Sequence, residues 1–170
     1  MPNMGTDKFK DNLSNVQRSY AWDVFIPNPL GGGDSESFTL RCRSASRPGR
    51  SFGAISIPYK QGPGFKVPGK IHYDQTWTVT VIEGEDAAMH SFLYGWMQNI
   101  IHDKSEIGFG DAFIKRDIYF RMHSTTGEPT LTIKLIGAYP ENVPDTPVSM
   151  DSETQVQYTV TFSFDKWVED

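Results

Sequence analysis

Repeated alternation of apolar and hydroxyl-bearing residues, with one amphipathic helix, predicts a mainly β fold. The expected form is a β-sandwich or barrel with one short packed α-helix and a long projecting hairpin or loop. Three observations carry this expectation. Residues 76–81, TWTVTV, set Trp77, Val79 and Val81 against Thr76, Thr78 and Thr80, and successive strand side chains point to opposite faces. Residues 155–167 repeat the pattern, with Val156, Tyr158, Val160, Phe162 and Phe164 against Gln157, Thr159, Thr161, Ser163 and Asp165. Between them, Ala88, Met89, Phe92, Leu93, Trp96 and Ile100 recur at helical spacing.

Taken in order, residues 1–19 form a polar arm; such termini fray unless tied down, and residues 1–18 are expected to touch an adjacent copy. Residues 20–27, YAWDVFIP, predict a strand with Trp22, Val24 and Ile26 on one face, and proline and glycine make residues 28–37 a loop. Phe38, Leu40 and Cys42 alternate with Thr39, Arg41 and Arg43, which predicts a second strand. Residues 46–70 hold Pro48, Pro58, Pro63 and Pro68 with five glycines, so only short, interrupted strands are expected. That segment far exceeds the ordinary connection of about 4–6 residues, which predicts that it projects. The acidic pair Glu85 and Asp86 suits the start of the helix, because carboxylates are favoured at a helix N-terminus. Residues 117–123 and 130–139 read as further strands, the second setting Leu131, Ile133 and Leu135 against Thr130, Thr132 and Lys134. Threonine suits these positions through its β propensity, and several wetted rows with few charges suggest a surface that lines something.

Composition narrows the classes. The 170 residues suffice for one domain, 1–170, and 38% hydrophobic with 13% aromatic residues argues against disorder. No stretch approaches the roughly 20 apolar residues of a membrane-spanning helix, and the polar N-terminus has no apolar export signal, so synthesis in the cytoplasm without membrane insertion is expected. Cys42 is the only cysteine, which excludes an intrachain disulfide and a cysteine zinc site. The net charge of −5 is unevenly spread. Residues 1–75 carry ten Lys/Arg against six Asp/Glu, and residues 76–170 six against fifteen. A basic surface on one copy facing an acidic surface on the next would favour head-to-tail association.

The sequence offers no catalytic constellation. His72, His90, His102 and His123 form no HExxH or HxH pattern, and no GxSxG elbow occurs. Residues 64–70, GFKVPGK, fit the spacing of a phosphate loop, but Ile71 stands where a magnesium-binding hydroxyl should be, Pro68 interrupts the loop and a strand follows. Glu83, Glu85 and Asp86 are accounted for by the helix start. No enzyme activity, metal or cofactor is expected. Arg41, Arg43, Arg47 and Arg50 lack aromatic stacking partners for nucleic acid and read as interface or sheet-edge arginines. A glycan-binding β-sandwich would use Trp22, Trp77, Trp96 and Trp167 as platforms, yet the first three lie in apolar rows that predict core positions.

Four stretches together resemble the tail tube proteins of contractile-tailed bacteriophages, whose fold is shared with the tubes of phage-like bacteriocins and type VI secretion systems. Residues 37–49, SFTLRCRSASRPG, are similar to the family's second strand and its terminating proline. Residues 66–98, KVPGKIHYDQTWTVTVIEGEDAAMHSFLYGWMQ, resemble its loop, threonine strand and tryptophan-bearing helix. Residues 135–143, LIGAYPENV, look like its glycine-aromatic-proline turn, and residues 156–169, VQYTVTFSFDKWVE, like its terminal strand. The resemblance implies hexameric rings stacked into the inner tube of a contractile tail, with strands from six copies closing a barrel around a channel. It also implies a location in the virion, assembly in the host cytoplasm, and sheath, baseplate and terminator proteins as partners. Double-stranded DNA would pass through the lumen without specific binding. The tube of a bacteriocin or other injection device, or a baseplate tube initiator, are alternatives within the same fold. On this reading the lumen candidates are Thr76, Thr78, Thr80, Thr130, Thr132, Thr159, Thr161, Ser163 and Asp165. The 46–70 segment becomes an inter-subunit element through Phe52, Ile55, Ile57, Tyr59, Phe65, Val67, Arg47 and Arg50.

Overall fold

The computed structural model describes residues 17–27, 35–60, 62–101, 115–151 and 153–170. The predicted arm lies outside this set up to residue 16, as do residues 28–34 of the predicted loop and His102. The elements are β1 (Trp22–Phe25), α1 (Ser35–Arg41), β2 (Cys42–Ala45), β3 (Arg50–Tyr59), β4 (Gly62–Tyr73) and β5 (Thr76–Ile82). They continue with α2 (Ala88–Ile100), β6 (Arg116–His123), β7 (Pro129–Asn142), β8 (Gln157–Ser163) and β9 (Lys166–Glu169). Seven strands form one antiparallel sheet in the order β1-β6-β7-β8-β5-β2, with β9 also on β7, and β3 and β4 pair only with each other.

A bend in β7 divides the large sheet into two halves. Its first part runs between β6 and β9, and its last residues, from Tyr139, pair with β8. Ser163 faces Tyr139 and Lys166 faces Ile136, so β8 and β9 follow one line along β7, broken at Phe164–Asp165. Opposite that break lies Gly137 with φ +68°, where a Cβ would collide with the Asp165 carboxylate. The terminal segment is thus two strands rather than one. The glycine-aromatic-proline stretch is likewise no turn, because the chain passes through it as bent β7.

The apolar rows fill one core. Val24, Ile26, Trp77, Val79, Val81, Ile133, Leu135, Val160 and Phe162 are all buried, joined by Met89, Leu93 and Trp96 of α2. Phe162 sits among three rings, with centroids 5.8 Å from Trp77, 6.1 Å from Trp96 and 6.4 Å from Phe38. Trp167 is buried too, and Trp22 stacks on Phe120 at 6.0 Å, so these indoles are packing groups.

Two further expectations need correction. Residues 35–41 are helical, so the second strand begins only at Cys42. Phe38 enters the core while Leu40 is 77% exposed, and the Thr39 hydroxyl donates to the carbonyl of Val24, anchoring the helical turn on β1. The 46–70 segment holds two long strands instead of short interrupted ones. Both strands of a two-stranded ladder are edges, where proline is tolerated. Register shifts at Phe52/Ala54 and Ile57/Tyr59 absorb the misfits. Gly64 and Gly69 fit because a Cβ there would stand 2.8 Å from Ile57 O and 2.9 Å from Gly53 O.

Candidate assembly surfaces

The first surface is the outer face of the β2-β5-β8 half of the sheet. Thr76 lies opposite Ser163, Thr78 opposite Thr161 and Thr80 opposite Thr159. Ser44 of β2 pairs with Thr80, and Asn142 at the end of β7 with Thr161, which extends the polar rows across the half-sheet. Because Trp77, Val79, Val81, Val160 and Phe162 occupy the alternate positions and are buried, the hydroxyls must point away from the core.

These hydroxyls are largely satisfied within the face. Thr80 and Thr159 share a hydrogen bond of 2.9 Å, and the Thr78 hydroxyl donates to Ser46 Oγ at 3.3 Å. Ser163 donates to the carbonyl of Gln75 at 3.3 Å and Thr76 to that of Asp74 at 3.2 Å. No ionisable side chain interrupts the three Thr/Ser pairs. At their margin, Arg43 in the register shift of β2 donates to Gln157 at 2.9 Å.

Three further lumen candidates lie elsewhere. Thr130 and Thr132 belong to the β6 side of the bend, where Thr132 faces Arg121 and the Thr130 hydroxyl donates to the carbonyl of Met122. Asp165 sits in the break between β8 and β9 and pairs with Lys115 at 3.0 Å. The structure therefore brings together Thr76, Thr78, Thr80, Thr159, Thr161 and Ser163, and leaves Thr130, Thr132 and Asp165 apart. Ser44, Ser46 and Asn142 join the face without having been expected there. The alternation RCRSAS does hint at the two serines, but the helical reading of residues 35–41 is what fixes their phase.

The second surface is the β3–β4 hairpin. Ile55 faces Val67, Ile57 faces Phe65 and Phe52 faces Ile71, all exposed, and Tyr59 is exposed near the tip. Phe52, Ile55 and Phe65 are each more than half exposed, so among the described residues little covers these cross-strand pairs. The hairpin's foot is held firmly. Trp167 donates its indole N–H to the carbonyl of Gly49 at 3.1 Å, Arg50 lies 5.3 Å over the same ring, and Tyr73 packs edge-on against it. Arg47 is exposed beside this foot.

A clamp joins α1, β5 and α2 behind the hydroxyl face. Arg41 forks onto Asp86 at 2.8 and 2.9 Å, and this guanidinium lowers the Asp86 carboxyl from its ordinary 3.8 to about 2. Glu83 accepts from the N–H groups of Met89 and His90 and from the Tyr158 hydroxyl. Burial, then the hydrogen bond to Glu83, raises the Tyr158 phenol above its usual range. Burial also pushes the Cys42 thiol up to about 12, making it a poor nucleophile.

A half-sheet with uncharged hydroxyl rows and a hairpin whose apolar pairs stand exposed among the described residues are equipment for assembly. Comparison with known proteins agrees. A model of the phage tail tube protein family matches residues 8–170. The chain belongs to that family. This tail tube protein is accordingly a structural component of a phage tail, hence of the virion, and not an enzyme. It is 26% identical to tail tube protein gp19 of Enterobacteria phage T4 over 164 residues, 95% of this chain and 91% of that one. Two cryo-EM structures of the PVC extracellular contractile injection system share its fold. The sheath/tube terminator matches with a TM-score of 0.66 at 17% identity, covering 91% of this chain and 96% of that one. The sheath-tube complex matches with 0.64 at 18%, covering 98% of both chains.

Proposed function

We propose that this tube protein forms rings of six copies that stack into the inner tube of a contractile tail. The β2-β5-β8 half-sheet of each copy would line the channel with Thr76, Thr78, Thr80, Thr159, Thr161 and Ser163. The observation that carries this reading is the hydroxyl face itself, broad, uncharged and backed by a packed core. Its flanks, β2 and the end of β7, terminate the half-sheet in strand edges, and joining such edges between copies into a closed barrel removes their tendency to pair at random. Hydroxyl rows without cations, with Arg43 held to Gln157 at their margin, give passing DNA few phosphate contacts to form and break at each ring.

The exposed side chains of Phe52, Ile55, Ile57, Tyr59, Phe65 and Val67, with Arg47 and Arg50 at the foot, fit burial against neighbouring copies. Sheath, baseplate and terminator proteins would be the partners on the outside and at the ends, with assembly in the host cytoplasm. Negative-stain electron microscopy of the purified chain tests the reading. Sixfold rings or tubes are expected, and a chain that remains monomeric or dimeric at all concentrations overturns it.

A further inference from the structure

The hairpin and the β7–β8 connection, residues 143–156, are opposite in charge and alike in apolar exposure. Residues 47–73 hold five Lys/Arg and no Asp/Glu, whereas residues 143–156 hold three Asp/Glu and no Lys/Arg. Among the described residues, Lys60, Lys66 and Lys70 form no ion pair, and neither do Asp145, Asp151 and Glu153. All six are exposed. Ion pairing within the chain instead occurs around α2 and between strands of the large sheet. On the connection, Val148 is 82% exposed and the Met150 side chain stands wholly in solvent. Two apolar side chains displayed among acids match apolar pairs displayed among lysines.

We propose that the acidic 143–156 connection of one copy seats on the basic β3–β4 hairpin of another, with Val148 and Met150 against the hairpin's apolar pairs. This rests on the tube reading and adds which two surfaces meet. Such a contact joins unlike surfaces, and made head-to-tail rather than reciprocally across a two-fold axis it propagates from copy to copy, as stacking requires. The 8 to 10 Å screening length at moderate salt makes the pairing salt-sensitive at its rim, while the apolar centre is not. Five cations could also hold nucleic acid, but the phosphate backbone offers no match for exposed Phe65 and Ile57.

The test uses the full chain with two blocks of exposed charges reversed. Lys60→Glu/Lys66→Glu/Lys70→Glu and Asp145→Lys/Asp151→Lys/Glu153→Lys should each raise the concentration at which sedimentable tubes appear by about tenfold or more at low salt. Combining both blocks in one chain should return that threshold to near its natural value, and circular dichroism should show every variant folded. Glutamine at the same lysines, a milder change, should give an intermediate threshold. Tubes from the natural chain with unchanged thresholds for both reversals overturn the pairing and leave the tube reading intact. So does failure of the folded combined variant to recover. Reversal of the lysines that abolishes DNA binding without altering assembly assigns the hairpin to nucleic acid instead. A natural chain that never assembles removes the tube reading itself.

Discussion

Glu83 stands four residues ahead of Ala87, the N-cap of α2, yet its oxygens accept the N–H groups of Met89 and His90 at 3.1 and 2.9 Å. It also accepts the Tyr158 hydroxyl at 2.8 Å, tying the helix start to β8 behind the hydroxyl face. Glu83→Ala leaves these donors without a partner and should cost about 1–3 kcal/mol in urea unfolding. Glu83→Gln retains one acceptor and should lose less. Asp86 contributes through charge. Because its folded carboxyl titrates near 2 rather than 3.8, the Arg41–Asp86 pair contributes fully above the unfolded value and fades as pH falls through the folded one. Thermal unfolding from pH 5 to pH 2 should therefore show a smaller loss for Asp86→Asn than for the natural chain. Equal slopes would remove Asp86 from the acid response.

At the scale of elements, the bend at Gly137 sets which strands belong to which half of the sheet. Gly137→Ala forces a left-handed φ on an L-residue and drives a methyl into the Asp165 carboxylate, so a loss of about 1–3 kcal/mol is expected. Gly127 also has positive φ, at +85°, but a Cβ there meets nothing, so Gly127→Ala should cost only about 1 kcal/mol of backbone strain. Equal losses in denaturant melts would mean that the Asp165 contact is irrelevant. Elements with period-two or helical patterns on a buried face, β5, α2, β7 and β8, could be read from sequence because burial enforces the pattern. The turn at residues 35–41 could not, since Phe38, Leu40 and Cys42 alternate as a strand would while only Phe38 is buried. The hairpin's long strands were hidden by prolines and glycines that a two-stranded, edge-only ladder accepts. Glu83's role was hidden because its acceptors serve a helix that begins beyond an intervening turn. The hydroxyl rows were legible, but the grouping of Thr130 and Thr132 with them was not decidable, since phase along a strand does not say on which side of a bend it lies.

At the scale of the molecule, the hairpin and the hydroxyl face make separable demands. Deleting residues 62–69 removes the far strand of an element whose strands pack chiefly on each other, so the core should survive and circular dichroism should stay β-rich. Such a chain should remain monomeric by light scattering, and normal tubes from it would exclude the hairpin from assembly. The channel wall is tested by charge. Thr78 and Thr161 face each other at the centre of the uncharged rows, so Thr78→Arg/Thr161→Arg places two cations where none stand. Arginine forms charge-assisted contacts with phosphate that a threonine hydroxyl cannot match, and each contact adds to a salt-dependent affinity. Tubes should still assemble, because neither residue belongs to the core or to the hairpin. DNA ejection should slow at low salt and recover as salt rises. Thr130→Arg supplies the control, since Thr130 lies on the β6 side of the bend and pairs with the Met122 carbonyl away from these rows. It should leave ejection unchanged. If Thr130→Arg slows ejection and the paired variant does not, the channel is lined by the other half of the sheet, and the β5–β8 face lies on the outside of the tube.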